Sequence, residues 1–534
     1  MFMKILVCDP VSEKGIALLK QRPEFEVVVL PKRFSEAELM PLVSDVAAMV
    51  VRSETKVTSK LIEAAQHLRV IGRAGVGVDN VDVEAATRRG VVVMNTPGGN
   101  AISAAELTLA AILNLARKLP QAYVSMLQGK WDRKQFQGIE LWGKTLGVLG
   151  MGRIGSEVAK RAIAFGMKVR GYDPYLSEAR IKALGVELVS ELDEVLQVAD
   201  FISVHMPVTD ETRGMLNTAA FSKMKPGVRI VNCARGEIIV ENDLLAALDS
   251  GKVSAAAIDV FATEPLPPEH PFRKHPNIIL TPHLGASTRE AQEKCGIEVA
   301  EVITSYLLTG EVRNAVNLPY LDAKTYEEVK PYLVLGEKLG LLLSQLAPPQ
   351  VDRLHITYGG RARELANIDP ITRAILQGFL SRAGVKGVNN VNVRSIASTL
   401  GLTVEEKRSN EPVTFNEWLH VQVFKGAKKE VSAGGTFFGS PDNPRIVRVF
   451  SRPTEIIPSG VVLLLTNKDR PGIVGYLGSL MGRYNVNIAS MSLNRDVAGG
   501  HALTVLNLDS VPPPEALEEL EKDPDISDVH VIQL

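Results

Sequence analysis

The stretch Lys144-Thr145-Leu146-Gly147-Val148-Leu149-Gly150-Met151-Gly152-Arg153-Ile154-Gly155 decides the fold. An apolar strand pattern runs into Gly150-x-Gly152-x-x-Gly155, a helical pattern follows from Ser156 to Phe165, and a second strand pattern from Met167 to Tyr172 ends on Asp173. In a dinucleotide fold the first glycine makes the tight turn, the second admits a pyrophosphate close to the backbone, and the third lets helix and strand pack closely. The N-terminus of the helix then offers unpaired N–H groups to the phosphates. Asp173 is placed to accept hydrogen bonds from ribose hydroxyls, and Pro174-Tyr175 follow it rather than an arginine, which favours NAD over NADP. A glycine turn alone also fits a structural loop, but strand, glycines, helix, strand and terminal acid in succession read as a cofactor site.

Outward from this unit, the same alternation of strand and helix patterns runs both ways, which predicts parallel sheets covered by helices. Upstream, Arg52-Ser53 and Arg73-Ala74-Gly75-Val76-Gly77-Val78-Asp79 each follow a strand pattern and fall at its carboxyl end, where open α/β sheets place ligands. Singly they also fit a solvated arginine and a glycine turn; paired, they suggest an anion site. Ser103-x-x-Glu106 after Pro97-Gly98-Gly99-Asn100 reads as a capping box opening a long helix to about Leu119. Downstream, the strand patterns end in His205-Met206-Pro207, Cys233-Ala234-Arg235-Gly236, Asp259 with Glu264, and His283, so one sheet edge collects the chemistry.

At 534 residues the chain is long enough for three or four domains. With 60 basic against 61 acidic residues there is no global field for nucleic acid or an anionic membrane, so the expected partners are small molecules. Three separated cysteines, Cys8, Cys233 and Cys295, suit neither a disulfide framework nor a cysteine-based metal site. No metal is expected. Neither a signal peptide nor a spanning apolar run is evident, and the expected compartment is the cytoplasm.

Gly150-Met-Gly-Arg-Ile-Gly155, Asn232-Cys-Ala-Arg-Gly236, Asp259-Val-Phe-Ala-Thr-Glu-Pro265 and Thr281-Pro-His-Leu-Gly-Ala-Ser-Thr288 resemble the signatures of the D-isomer-specific 2-hydroxyacid dehydrogenases. With Arg73 to Asn80 and the long C-terminal extension, the resemblance is strongest to the long-type members that oxidise 3-phosphoglycerate. It implies a Rossmann-like, doubly wound NAD domain (99–285) inserted in a flavodoxin-like substrate domain (1–98 and 286–317). An α+β intervening domain (318–455) and a ferredoxin-like ACT domain (459–534) follow. The implied catalytic set is Arg235 for the substrate carboxylate, His283 as base and Glu264 as its partner. A guanidinium fork matches a carboxylate, imidazole titrates near working pH, and a carboxylate on the far ring nitrogen fixes the tautomer. Each also has a structural reading: Arg235 pairing a surface acid, Glu264 capping a helix, His283 satisfied at a strand end.

Inherited cofactor contacts are Arg153, Ile154, Thr212, Cys233, Ala234, Asp259, Gly285 and Ala286. The phosphate would meet Arg52, Ser53, Arg73 and the amides of Gly75, Val76 and Gly77. Arg361, Arg363, Lys386 and Arg394 read mainly as solvated surface, with a regulatory anion as the alternative. From Ser459 the pattern is βαββαβ. Here Asn467, Asp469 and Asn487 match positions that contact serine in related enzymes, although turn residues are an equal reading for Asp469 and Asn487. The resemblance therefore implies NAD-dependent oxidation of 3-phospho-D-glycerate to 3-phosphohydroxypyruvate, the entry to serine biosynthesis. It also implies a homotetramer and an L-serine effector. The alternatives are another D-2-hydroxyacid dehydrogenase, acting on glycerate or 2-hydroxyglutarate, and a non-catalytic NAD-sensing protein.

Overall fold

The computed structural model describes residues 2–176, 185–319, 323–382, 387–411 and 417–534. Five strands open the chain: β1 (Met3–Val7), β2 (Phe25–Val29), β3 (Val46–Val51), β4 (Val70–Arg73) and β5 (Val92–Met94). They pair in parallel in the order β2-β1-β3-β4-β5. β3 is apolar and buried at every position, as a parallel strand covered on both faces requires. The helix Arg289–Thr309 returns from far along the chain to lay Val299 and Ile303 over Gly72 of β4. Two chain segments thus build this first unit.

The quoted stretch forms β6 (Thr145–Leu149) at the centre of a second parallel sheet. It is joined by β7 (Lys168–Tyr172), β8 (Glu187–Val189), β9 (Phe201–Val204), β10 (Val228–Asn232), β11 (Val253–Ile258) and β12 (Ile278–Leu280). The order β12-β11-β10-β9-β6-β7-β8 reverses between β6 and β9, and the crevice at such a reversal is where doubly wound sheets bind nucleotides. The strands stop earlier than the sequence pattern suggests, at Val204, Asn232, Ile258 and Leu280. The polar residues that follow therefore stand in loops above the sheet.

Two expectations near residue 100 are corrected. The long helix runs Ala101–Arg117 with Asn100 at its N-cap and no side-chain cap bond, so Ser103 and Glu106 form no capping box. Instead Ser103 Oγ meets Thr288 Oγ1 at 2.6 Å, tying together the two chain crossings between units. The helix also ends at Arg117, because Lys118 is left-handed (φ 53°), and a separate helix, Leu119–Leu127, begins there.

The third sheet comprises β13 (Arg353–Gly360), β14 (Thr403–Arg408), β15 (Glu417–Lys425), β16 (Lys428–Phe437), β17 (Pro444–Val449) and β18 (Arg452–Ile456), ordered β14-β13-β15-β16-β17-β18. The last sheet is antiparallel, with β19 (Val461–Lys468), β20 (Ile488–Arg495), β21 (His501–Leu508) and β22 (Ile526–Gln533) ordered β20-β21-β19-β22. With helices Ile473–Arg483 and Pro514–Lys522, this is the βαββαβ order. Its helix-free face, through Val462, Leu464, Leu503, Val505 and Ile532, shares one apolar core with the helix Ala323–Leu346. In the other direction, Val391 is buried in the core of the first unit, and Asn389 Nδ2 donates to the Gly90 carbonyl at 2.9 Å. Among the described residues no helix is long and apolar enough to cross a membrane, and no cluster of three or more potential ligands is placed to hold a metal.

Candidate active site

The glycine turn fixes the cofactor end. Gly150 adopts φ 94°, and a Cβ at Gly155 would lie 2.0 Å from the Gly150 carbonyl oxygen, so turn and helix close up only without side chains. A Cβ at Gly152 would meet nothing within 4 Å, which leaves the space a pyrophosphate needs. Gly152 is the N-cap of the helix Arg153–Ala164 and offers no side-chain cap, so the helix's first N–H groups remain for phosphate oxygens. Asp173 ends β7. One of its carboxylate oxygens accepts from the Met151 N–H (2.9 Å) and the other from the Tyr175 N–H (3.0 Å). These bonds aim the carboxylate over the glycine turn and leave lone pairs for ribose hydroxyls.

Beyond β10, Asn232 folds the next turn: its Nδ2 donates to the Arg235 carbonyl (2.9 Å) and its Oδ1 accepts from the Ala234 N–H (3.0 Å). That bracket presents Arg235 at the cleft. Beyond β11, Asp259 is 1% exposed and accepts from Thr281 Oγ1 (2.6 Å), Leu284 N–H (2.8 Å) and Gly285 N–H (3.0 Å). Burial pushes its carboxyl above the usual range against those bonds. Its carbonyl also accepts the His283 N–H at 2.9 Å, holding His283 in the left-handed region at φ 55°. The Asp259 side chain thus shapes the loop 281–285.

His283 Nδ1 lies 2.8 Å from Glu264 Oε2, and Glu264 Oε1 accepts the Phe261 N–H at 3.0 Å. Burial alone would raise the Glu264 carboxyl, but the hydrogen bond and charge of His283, the Phe261 amide and Arg235 bring it below the usual range. An ionised carboxylate only accepts, so Nδ1 carries the proton and Nε2 keeps its lone pair. Glu264 stands at the carboxyl side of β11, His283 at that of β12 and Arg235 at that of β10. The three are brought to one edge.

Across the cleft, Arg73 is half-buried, with its Nε atom buried and unpartnered. Desolvation, then the charge of Arg235, lowers it to about 10, so it stays protonated at neutral pH. Arg52 stands nearby, its N–H donating to Asp9 Oδ2 (2.5 Å) and its Nη1 to the Pro10 carbonyl (3.3 Å), while Ser53 is exposed. The loops are stapled by groups the sequence reading passed over. Asp9 also accepts from Thr55 Oγ1 (2.6 Å), Asn80 Nδ2 donates to the carbonyls of Arg52 (2.7 Å) and Thr55 (2.6 Å), and Asn95 Nδ2 donates to that of Val76 (2.6 Å). Asp9 lies two residues beyond β1, and an acid at a strand's carboxyl end was the signal available.

Other candidates divide. Thr212 Oγ1 donates to the Pro207 carbonyl (2.7 Å), closing a turn beside the crevice. Burial and then the charge of Asp259 push the Cys233 thiol up to about 12. Gly285 is buried and Ala286 half-buried beside Cys233 and Asp259. In the last unit Asn467 is buried and satisfied, Nδ2 donating to the Lys468 carbonyl (3.0 Å) and Oδ1 accepting from Thr504 Oγ1 (2.6 Å). Its side chain is therefore not free for an effector, which corrects that expectation. Asp469 is held by Arg495 Nη1 (2.9 Å) and the Gly499 N–H (3.0 Å). Asn487 bonds Asp509 at the opposite end of the sheet, more than about 25 Å away by strand rise. One chain does not bring Asp469 and Asn487 together. Arg394 pairs with Asp369 (2.5 Å) and Glu406 (2.7 Å), and Arg363 Nη1 donates to Asn410 (2.9 Å). Lys386 lies outside the described residues.

Comparison with known proteins agrees with this geometry. Residues 109–285 match the model for the D-isomer specific 2-hydroxyacid dehydrogenase NAD-binding domain. Residues 328–450 match the D-3-phosphoglycerate dehydrogenase intervening domain, and residues 461–525 the ACT domain. Fold and site thus define an NAD-dependent 2-hydroxyacid dehydrogenase with a regulatory-type extension. The chain is 44% identical over 531 residues to D-3-phosphoglycerate dehydrogenase of Synechocystis sp., spanning 99% of this chain and 95% of that protein. It is 43% identical over 534 residues to that of Methanocaldococcus jannaschii, spanning all of both chains. The NAD+-bound 3-phosphoglycerate dehydrogenase of Entamoeba histolytica superposes with a TM-score of 0.51 at 30% identity, over 60% of this chain and 100% of that one. The chain belongs to the D-3-phosphoglycerate dehydrogenase family.

Proposed function

We infer that the protein oxidises 3-phospho-D-glycerate to 3-phosphohydroxypyruvate with NAD, the entry step to serine. The observation that carries this is the bonded His283–Glu264 pair at one sheet edge, with a half-buried Arg73 across the cleft whose Nε has no hydrogen-bond partner. Arg235 takes the substrate carboxylate through its guanidinium fork. His283 Nε2 takes the hydroxyl proton, and Glu264 stabilises the imidazolium as it forms. Bound at the glycine turn, NAD supplies the hydride acceptor. Arg52, Ser53 and Arg73, with the amides of Gly75–Gly77, receive the phosphate, which adds about two negative charges. The functional units are those read from the sequence, residues 1–98 with 286–317, 99–285, 318–455 and 459–534.

We also propose a cytoplasmic homotetramer with L-serine as effector. Tyr123, Val124, Met126, Leu127, Trp131 and Trp142 are all exposed within one twenty-residue stretch of chain, and exposed large apolar side chains suit a subunit contact. Because Asp469 and Asn487 are far apart in one chain, an effector site using both needs two copies, joined through the free edge of β20. Turnover measured with and without serine, alongside the mass in solution, tests this; an unaffected rate and a monomer overturn it. The substrate reading is tested by NADH formation with 3-phosphoglycerate, and turnover confined to unphosphorylated hydroxy acids overturns it.

A further inference from the structure

We propose that Asp79 is a positioning residue that holds the guanidinium of Arg235 across the cleft, so that one defined edge of it faces the substrate. This rests on the reading of Arg235 as the carboxylate-binding cation. Asp79 belongs to the first unit, in the loop after β4, and Arg235 to the nucleotide unit, in the loop after β10. Asp79 Oδ2 accepts from Arg235 Nε at 3.0 Å. Among the described residues this is the one ion pair that joins residues 2–98 or 286–319 to residues 99–285.

The donors of Arg235 can be followed one by one. Nε is used by Asp79, and Nη1 donates to the Ala234 carbonyl at 2.6 Å. What remains is the second N–H of Nη1 and both of Nη2. Nη2 is pressed against the backbone of Gly77: a Cβ there would lie 1.7 Å from Nη2 and 2.7 Å from Asp79 Oδ2. Glycine at 77 is thus the gap through which the guanidinium reaches the substrate loop, and Asp79 is the acceptor that draws it in. A guanidinium fork recognises a carboxylate only when its plane is fixed, since two parallel N–H bonds must point along two oxygens. Without Asp79, Nε loses its partner, and repulsion between Arg235 and Arg73, whose charges act on one another, swings Arg235 outward. Asp79 is largely exposed, with 68% of its side chain accessible. Its removal therefore opens no cavity in the core and should not unfold the chain.

The experiment compares the parent with Asp79→Ala and Asp79→Asn, using both 3-phosphoglycerate and unphosphorylated D-glycerate, with the Kd for NAD measured separately. The expected result for Asp79→Ala is a rise in KM of about tenfold or more, as a displaced positioning contact gives. The factor should be the same for both hydroxy acids, because Arg235 meets the carboxylate they share, and the Kd for NAD should not change. Asp79→Asn keeps an acceptor for Nε without the charge and should fall between parent and Ala. A KM within twofold of the parent for both substrates overturns the proposal. So does a parallel loss of NAD affinity, which marks a structural role. If the parent prefers D-glycerate, the substrate assignment fails while the KM ratio still tests Asp79.

Discussion

Replacing Glu264 by Gln keeps the shape of the His283 partner and removes its charge. The Nδ1–Oε2 distance of 2.8 Å puts the centres of the two charges about 4 Å apart, worth roughly 4 kcal/mol at an effective dielectric of 20. Both side chains are more than a third exposed, and solvent screening reduces this to about 1.5–3 kcal/mol, the usual range for a hydrogen bond to a charged group. That is a loss of roughly 10- to 100-fold in kcat. The assay is kcat for NADH formation with ordinary and C2-deuterated substrate, where slowed chemistry also enlarges the isotope effect. The sign with pH follows from the carboxyl lying below its usual range. Stability and activity owed to ionised Glu264 are complete above the ordinary carboxylate range and are lost only as pH falls through the lower folded value. The titration of Glu264 itself should therefore add no pH dependence to the parent's kcat/KM above about pH 6. A variant kcat within twofold of the parent refutes the assigned role.

Gly155→Ala drives a Cβ to 2.0 Å from the Gly150 carbonyl; calorimetry should show NAD affinity falling more than about tenfold, as expected when backbone rather than a flexible side chain must move. Asp259→Asn turns an amide N–H toward the Gly285 N–H that the carboxylate now accepts. Urea unfolding should show a loss of about 1–3 kcal/mol together with reduced kcat, and an unchanged midpoint would contradict the bonding described. Burial first, then a nearby aspartate, pushes Cys8 and Cys233 each up to about 12, and burial raises Cys295 as well. Iodoacetamide at pH 8 should label the native protein very slowly and the denatured chain at all three thiols; rapid native labelling of Cys233 would contradict this.

The sheets were legible because they depend on local patterns: the apolar run of β3, the glycine turn after β6, and polar residues placed where each strand stops. The site was legible where a single loop carries its chemistry, as with Arg235 after β10 and His283 after β12. Groups acting over long separations were not. Nothing local distinguishes Asp79 as the partner of a residue 156 positions away, nor Asp9 as the staple of the loop 52–55. Asn467 misled for the opposite reason. It follows the apolar run of β19 as a turn residue would, yet β19 continues through Lys468, and Asn467 is paired on both sides in the sheet. Ser103 likewise fits a local capping rule, but the turn Pro97–Asn100 delivers the chain into the helix two residues earlier, freeing Ser103 to meet Thr288.

The most direct test of the central claim is absorbance at the NADH band with purified protein, NAD and either 3-phosphoglycerate or D-glycerate. NADH should form with 3-phosphoglycerate at a kcat/KM at least about a hundredfold above that for D-glycerate, since a charged pair left unmade in a desolvated site costs on the order of 3 kcal/mol. Equal or better turnover of D-glycerate would contradict it.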